Sequence, residues 1–259
     1  MILTLDVGTT NIKTGLFEDG RLIHSWRMSS ARHRTADELG IKMESFFLHA
    51  GRKTEEVTGI IISSVIPSMN FTIEHMCSLY FKNAEVMFVG PGIKTGMNIR
   101  YENPKELGSD RICNAVAAYR LYGGPVLTVD FGTATTFGVV SEKGDFLGGA
   151  ICPGIIISLD ALTERTAKLP RVELIRPKSV IGRNTTSCIQ AGVVYGYVGQ
   201  VDYIINKIQM ELNEPDIKVV ATGGMSRFIA EYSHYDIILN STLTLEGLYM
   251  IYRLNTAQP

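Results

Sequence analysis

The chain has 259 residues, 45% hydrophobic and 20% charged, a composition that suits one large or two modest globular domains. A formal net charge of −1 sets it apart from nucleic-acid binders, which carry a basic surplus. No stretch approaches the roughly 18 uncharged apolar residues of a membrane span, and no basic patch precedes an apolar core near Met1, so neither a membrane partner nor a secretory signal is expected. Three short alternating strands are predicted first, at 2–6, 11–17 and 21–27. A helix over 36–51 follows, with Leu39, Met43, Phe46, Phe47 and Ala50 along one side. The run at 59–65 is apolar on both faces and suits a strand inside a sheet. A helix over 68–81, a strand over 85–89 and a loop-rich stretch over 91–104 lead to a helix opening at Ser109 and ending near 122. Gly123-Gly124-Pro125 is the clearest breaker, which divides the chain into lobes at 1–122 and 123–259. The first lobe reads βββαβαβα.

The second lobe opens by repeating the first. Leu3 to Gly20 reads L-T-L-D-V-G-T-T-N-I-K-T-G-L-F-E-D-G. Offset by 124 without a gap, Leu127 to Gly144 reads L-T-V-D-F-G-T-A-T-T-F-G-V-V-S-E-K-G. A period of half the chain indicates two related lobes rather than a solenoid. Helices are predicted at 155–168 and 187–212, then a strand at 217–221, a short helix at 226–232, a strand at 235–239 and a closing helix at 244–254. Gly192, Gly196 and Gly199 share one side of the long helix at about 1 kcal/mol each relative to Ala. Two readings account for them: close approach of another backbone, in the chain or across a dimer, or crowding against the sheet.

In Asp6-Val7-Gly8-Thr9-Thr10-Asn11, Gly8 permits a sharp turn and close backbone approach, and the next three residues offer hydroxyl and amide donors suited to phosphate oxygens. Asp6 would be repelled by phosphate but can hold Mg²⁺, directly or through water. An ordinary polar hairpin is the alternative, weakened by the second copy at Asp130 and 132–136. Thr222-Gly223-Gly224 follows a strand and precedes a helix, where backbone can approach a base or ribose. Asp110, at a predicted helix start, would stay ionised and could accept a hydroxyl proton, or serve only as a first-turn carboxylate. Arg111 offers a planar fork for a carboxylate or for phosphates. Lys13 is either a phosphate neutraliser or a solvated strand lysine. Cys77, Cys113, Cys152 and Cys188 contain no C-x-x-C pair, so a reducing compartment is expected rather than a zinc site or disulfide framework. The five histidines show no ligand spacing, and Trp26 and the many tyrosines read as core or interface residues.

The two hairpins, the later Thr-Gly-Gly turn and the βββαβαβα order resemble the actin, Hsp70 and sugar-kinase superfamily. Further motifs resemble one family within it, the type III pantothenate kinases. These are Tyr101 with Pro104, Gly108-Ser109-Asp110-Arg111, Asp130 with Gly132-Thr133-Ala134, Gly148-Gly149-Ala150-Ile151 with Pro153-Gly154, Gly182 with Asn184-Thr185, Ala221 to Gly224, and Leu243 to Gly247. The resemblance implies an α/β fold of two duplicated actin-like (ribonuclease H-like) lobes with an interlobe cleft. It implies ATP-dependent phosphorylation of pantothenate, the first step of coenzyme A synthesis, by a cytoplasmic homodimer assisted by Mg²⁺ and a monovalent cation, K⁺ or NH₄⁺. By that resemblance ATP meets Asp6, Val7, Gly8, Thr9, Thr10, Asn11, Ile12, Lys13 and Thr133. Pantothenate meets Tyr101, Gly108, Ser109, Asp110, Arg111 and Thr185, with Asp110 the catalytic base and Asp130 the monovalent-cation ligand. The family usually has Asn where this chain has Thr9. A kinase of another small hydroxylated substrate and a non-catalytic nucleotide-binding regulator are the alternative functions.

Overall fold

The computed structural model describes residues 1–31 and 33–256. They form two compact units, one of 1–120 with 242–256 and one of 121–241.

The first unit runs β1 (Ile2–Val7), β2 (Asn11–Glu18), β3 (Arg21–Ser29), α1 (Ala36–His49), β4 (Gly59–Ser64), α2 (Pro67–Tyr80), β5 (Glu85–Phe88) and α3 (Ser109–Tyr122), the order expected from the sequence. Its five-stranded sheet has the order β3-β2-β1-β4-β5. β2 is antiparallel to both neighbours, whereas β1, β4 and β5 run parallel. The parallel strands are apolar on both faces because helices must cover both sides of a crossover sheet. Leu3, Leu5, Ile60 and Ile62 are accordingly buried with Leu39, Met43 and Phe47 of α1 and Ile73 and Met76 of α2. Thr35 caps α1 reciprocally: Glu38 N donates to its hydroxyl at 3.2 Å, and its own amide donates to the Glu38 carboxylate at 2.7 Å. Trp26 stacks on Phe46 with 5.6 Å between ring centroids and packs against this core, as expected.

The second unit runs β6 (Val126–Phe131), β7 (Ala134–Val140), β8 (Phe146–Gly148), β9 (Ile151–Pro153), α4 (Ile155–Glu164), α5 (Thr185–Leu212), β10 (Lys218–Gly223), α6 (Ser226–Ala230) and β11 (Ile237–Leu239). The sheet order is β11-β10-β6-β7-β8, with β9 also on β7. α4 stops at Glu164, earlier than the predicted 168. α5 begins two residues earlier than predicted, because Asn184 caps it by accepting from Ser187 N at 2.8 Å. Gly192, Gly196 and Gly199 of α5 are exposed and face open space, so crowding against the sheet does not explain them.

Two expectations change. The sequence groups the closing helix α7 (Leu243–Thr256) with the second lobe, yet it packs on β1, β2 and β4 of the first unit. Leu248 and Ile251 are fully buried there, Gly247 lies against the Cys113 carbonyl of α3, and the Thr244 hydroxyl donates to Asn114 Oδ1 at 2.7 Å. The repeat also contains a gap. Asp6 pairs with Lys13 but Asp130 pairs with Thr136, so the second turn is one residue shorter and β7 matches β2 at an offset of 123. Gly15 and Gly138 confirm it, since each carbonyl accepts from the hydroxyl of its partner strand's Thr4 or Thr128 at 3.2 Å.

Because α7 completes the first unit's core, Leu248→Ala should destabilise that unit by about 2–5 kcal/mol. Urea unfolding followed by circular dichroism measures it.

Candidate active site

In the first unit β1 ends at Val7 and β2 starts at Asn11, leaving Gly8, Thr9 and Thr10 as the turn. Gly8 N donates to Asn11 O at 3.0 Å, and Thr9 and Thr10 are exposed. Ser30 fastens this turn from beyond β3. Its hydroxyl donates to Gly8 O at 2.6 Å and its amide to Thr10 O at 3.0 Å. Sequence reasoning missed Ser30, whose burial just beyond β3 no local pattern shows. Val7 and Ile12 are core residues at 0% and 2% exposure, so any contact they make with a nucleotide belongs to their main chain. Asp6 is buried, and Lys13 sits across the ladder with Nζ 3.8 Å from Asp6 Oδ2.

The start of α3 meets the same place. Asp110 Oδ1 accepts the Arg111 amide at 2.8 Å and folds over Gly108, where an added Cβ would stand 2.5 Å from it. Glycine is required at 108 for the carboxylate to lie there. The buried Arg111 guanidinium stands 5.7 Å from the centroid of the Tyr101 ring, a cation–π pairing of two predicted pantothenate contacts. The Ser109 hydroxyl turns inward to β4, 2.9 Å from Ser63 Oγ, so any substrate contact at 109 is left to the main chain. Cys113, one turn into α3, is fully buried. Burial first, then the carboxylates of Asp6 and Asp110, hold its thiol well above the ordinary value. The Ser109 hydroxyl, 2.9 Å from Ser63 Oγ, brings the first turn of α3 to the end of β1, because Ser63 stands opposite Asp6 in the β1–β4 ladder.

In the second unit Gly132 and Thr133 alone make the turn, with Gly132 N donating to Ala134 O at 3.2 Å and Gly154 N donating to Thr133 O at 3.0 Å. Asp130 is half-buried opposite Thr222 in the β6–β10 ladder. Its Oδ1 lies 2.6 Å from where a Cβ on Gly223 would stand, and Gly223 has φ +94°. The predicted Thr-Gly-Gly turn therefore lies directly beside Asp130. Thr185 is the first residue of α5 and lines an open, largely apolar pocket of about 440 Å³ with Leu162, Leu169, Cys188 and Ile189.

Among the described residues no group of three His, Cys, Asp or Glu side chains could hold a metal. Single carboxylates suit a cation that completes its shell from phosphate oxygens and water. Asp130 fits such an ion: its oxygen occupies a cradle that a side chain on Gly223 would fill, and the neighbouring Thr222 hydroxyl is buried without a hydrogen-bond partner among the described residues.

Paired sheets with an Asp-x-Gly-Thr turn on a central strand of each define the class as the actin-like ATPase fold of the sugar kinases. Solved structures agree. A putative 2-dehydro-3-deoxygalactonokinase from Sinorhizobium meliloti is 10% identical, with 100% of this chain and 98% of that one covered and a TM-score of 0.62. A conserved putative Baf family transcriptional activator from Campylobacter jejuni is 21% identical, with 98% of each chain covered and a TM-score of 0.57. The (R)-2-hydroxyglutaryl-CoA dehydratase component A of Acidaminococcus fermentans is 15% identical, with 97% and 96% covered and a TM-score of 0.56. Likeness at these identities speaks to the fold. The family is settled separately, because the type III pantothenate kinase model matches residues 2–207. The chain belongs to the type III pantothenate kinase family, and so to the phosphotransferases.

A methyl group at position 108 must displace the Asp110 carboxylate while leaving the helix start largely intact. Gly108→Ala should change unfolding free energy by no more than about 1 kcal/mol. Its ATP-dependent turnover should fall ~10-fold or more, since small misplacements of reacting groups are costly. Parallel urea melts and ADP-release rates on the purified variant check both halves.

Proposed function

We propose that this chain transfers the γ-phosphoryl group of ATP to the hydroxyl of pantothenate, giving 4′-phosphopantothenate, with Asp110 as the general base. The observation that carries this reading is that the head of α3, which bears Asp110, is hydrogen-bonded through Ser109 to Ser63 and Ser64 of β4, where Ser63 stands opposite Asp6 of the phosphate-type turn. Phosphoryl transfer asks chiefly for positioning and charge neutralisation. Asp110 accepts the proton of the attacking hydroxyl. Arg111, stacked on Tyr101, pairs with the pantothenate carboxylate, and the main chain of Gly108 and Ser109 borders the substrate, with Thr185 a further contact. Residues 6–13 hold the nucleotide through the exposed Thr9 and Thr10 hydroxyls, Asn11 and the turn amides, and Thr133 adds a second hydroxyl. Lys13 leaves its loose pairing with Asp6 to neutralise phosphate. Asp6 is the donor for Mg²⁺ and Asp130 for K⁺ or NH₄⁺; when bound, these ions offset phosphate charge.

The direct test is a coupled ADP-release assay on the purified chain, with pantothenate and a panel of sugars, with and without K⁺. Pantothenate alone should release ADP, and K⁺ should raise the rate. Release with a sugar but not pantothenate would transfer the reading to another hydroxylated substrate; no release with any acceptor would favour a nucleotide-binding regulator. Asp110→Asn should retain ATP binding and turn over at least ~10²-fold more slowly. Near-normal turnover would remove Asp110 from the base role.

The same reading includes a cytoplasmic homodimer. Support comes from the second unit, where Ile156, Ile157, Val180, Ile181 and Tyr203 are exposed and the glycine face of α5 is open to close approach. Light scattering after size exclusion should give the mass of two chains. Tyr203→Glu should shift that mass toward one chain.

A further inference from the structure

We propose that Ser63 is a positioning residue for phosphoryl transfer, setting the direction of the Asp110 carboxylate through the hydroxyl of Ser109. The proposal rests on the reading of Asp110 as the base. Ser63 is fully buried near the end of β4, directly opposite Asp6 in the β1–β4 ladder. A serine at that point interrupts the run Ile60-Ile61-Ile62, where another aliphatic side chain would be favoured. A buried hydroxyl is costly unless it is bonded, so its presence asks for a partner.

That partner is Ser109, the first residue of α3. The Ser109 hydroxyl accepts from Ser64 N at 3.1 Å, donates to Ser64 O at 3.4 Å and lies 2.9 Å from Ser63 Oγ. The Ser64 amide can only donate, so it takes one lone pair of Ser109, and the contact between the Ser63 and Ser109 hydroxyls can be donated from either side. Together with the Ser64 carbonyl these contacts hold Ser109, the residue that precedes Asp110. The body of α3 is held separately, by Gly247 against Cys113 and by Thr244 on Asn114. Ser63 thus governs the helix entrance, where the carboxylate turns back over Gly108, while α7 governs the shaft.

The experiment compares Ser63→Ala with the parent chain, alone and in the Asp110→Asn background, using ADP release with pantothenate and ATP. Ser63→Ala should lower kcat ~10-fold or more, in keeping with the cost of a misdirected catalytic group. Its KM for ATP should stay within about twofold, because the turn at Gly8 is untouched, and Ser63→Ala added to Asp110→Asn should cost nothing further. Should Ser63→Ala fail to fold, Ser63→Cys, which keeps the volume and weakens the donor, is judged by the same criteria. Parent-like kcat in the folded Ser63 variant, with Asp110→Asn slow, overturns this proposal alone. An equal loss in both backgrounds also overturns it, since the effect would not pass through Asp110. A fast Asp110→Asn enzyme would instead defeat the base reading on which the proposal stands.

Discussion

A carboxylate must end a strand that is buried on both faces, and the next turn of chain must still reach a ligand. That constraint organises each unit. Asp6 and Asp130 are the penultimate residues of β1 and β6, and each is followed after one apolar residue by a glycine. The sheet supplies rigidity by surrounding the strand, so the charged group inherits the order of the core beneath it. Neither acid is left to the strand alone. Asp6 has Lys13 across the ladder, and Asp130 is walled by the backbone of Gly223.

The first unit adds a second demand, that a helix start be brought to that strand end. α3 does so with a short side chain, Asp110, which cannot reach far, so the helix itself must be placed closely. Gly108 provides the space, Ser109 the anchor to β4, and α7 the clamp further along. Tyr101, from the irregular stretch before α3, then meets the Arg111 guanidinium with its ring face.

Much of this was legible in the chain. The βββαβαβα order of the first unit followed from long, clean apolar periods, and the glycine-flanked acids from a repeat of Leu-Thr, Asp and Gly-Thr in step. Other features were out of reach for physical reasons. An amphipathic pattern shows that α7 has a face to bury but not which sheet buries it. Ser30 and Ser63 act through distant partners and carry no local signature. The one-residue gap between the hairpins was hidden because both turns are written with Gly-Thr, and the longer connection after β7 restores the count. Matching letters reported the ancestry of the two halves, whereas ladder bonds report their register.

Membership of α7 in the first unit has a consequence for how the chain matures. Residues 243–256 leave the ribosome only after all of 121–241, yet they seal the core that residues 1–120 begin. The earlier segment must wait with the seat of Leu248 and Ile251 open while the intervening unit is made and can fold on its own. The body of α3 therefore acquires its final support last, and a nascent chain stalled before α7 holds every residue of the proposed site without the clamp on Cys113 and Asn114.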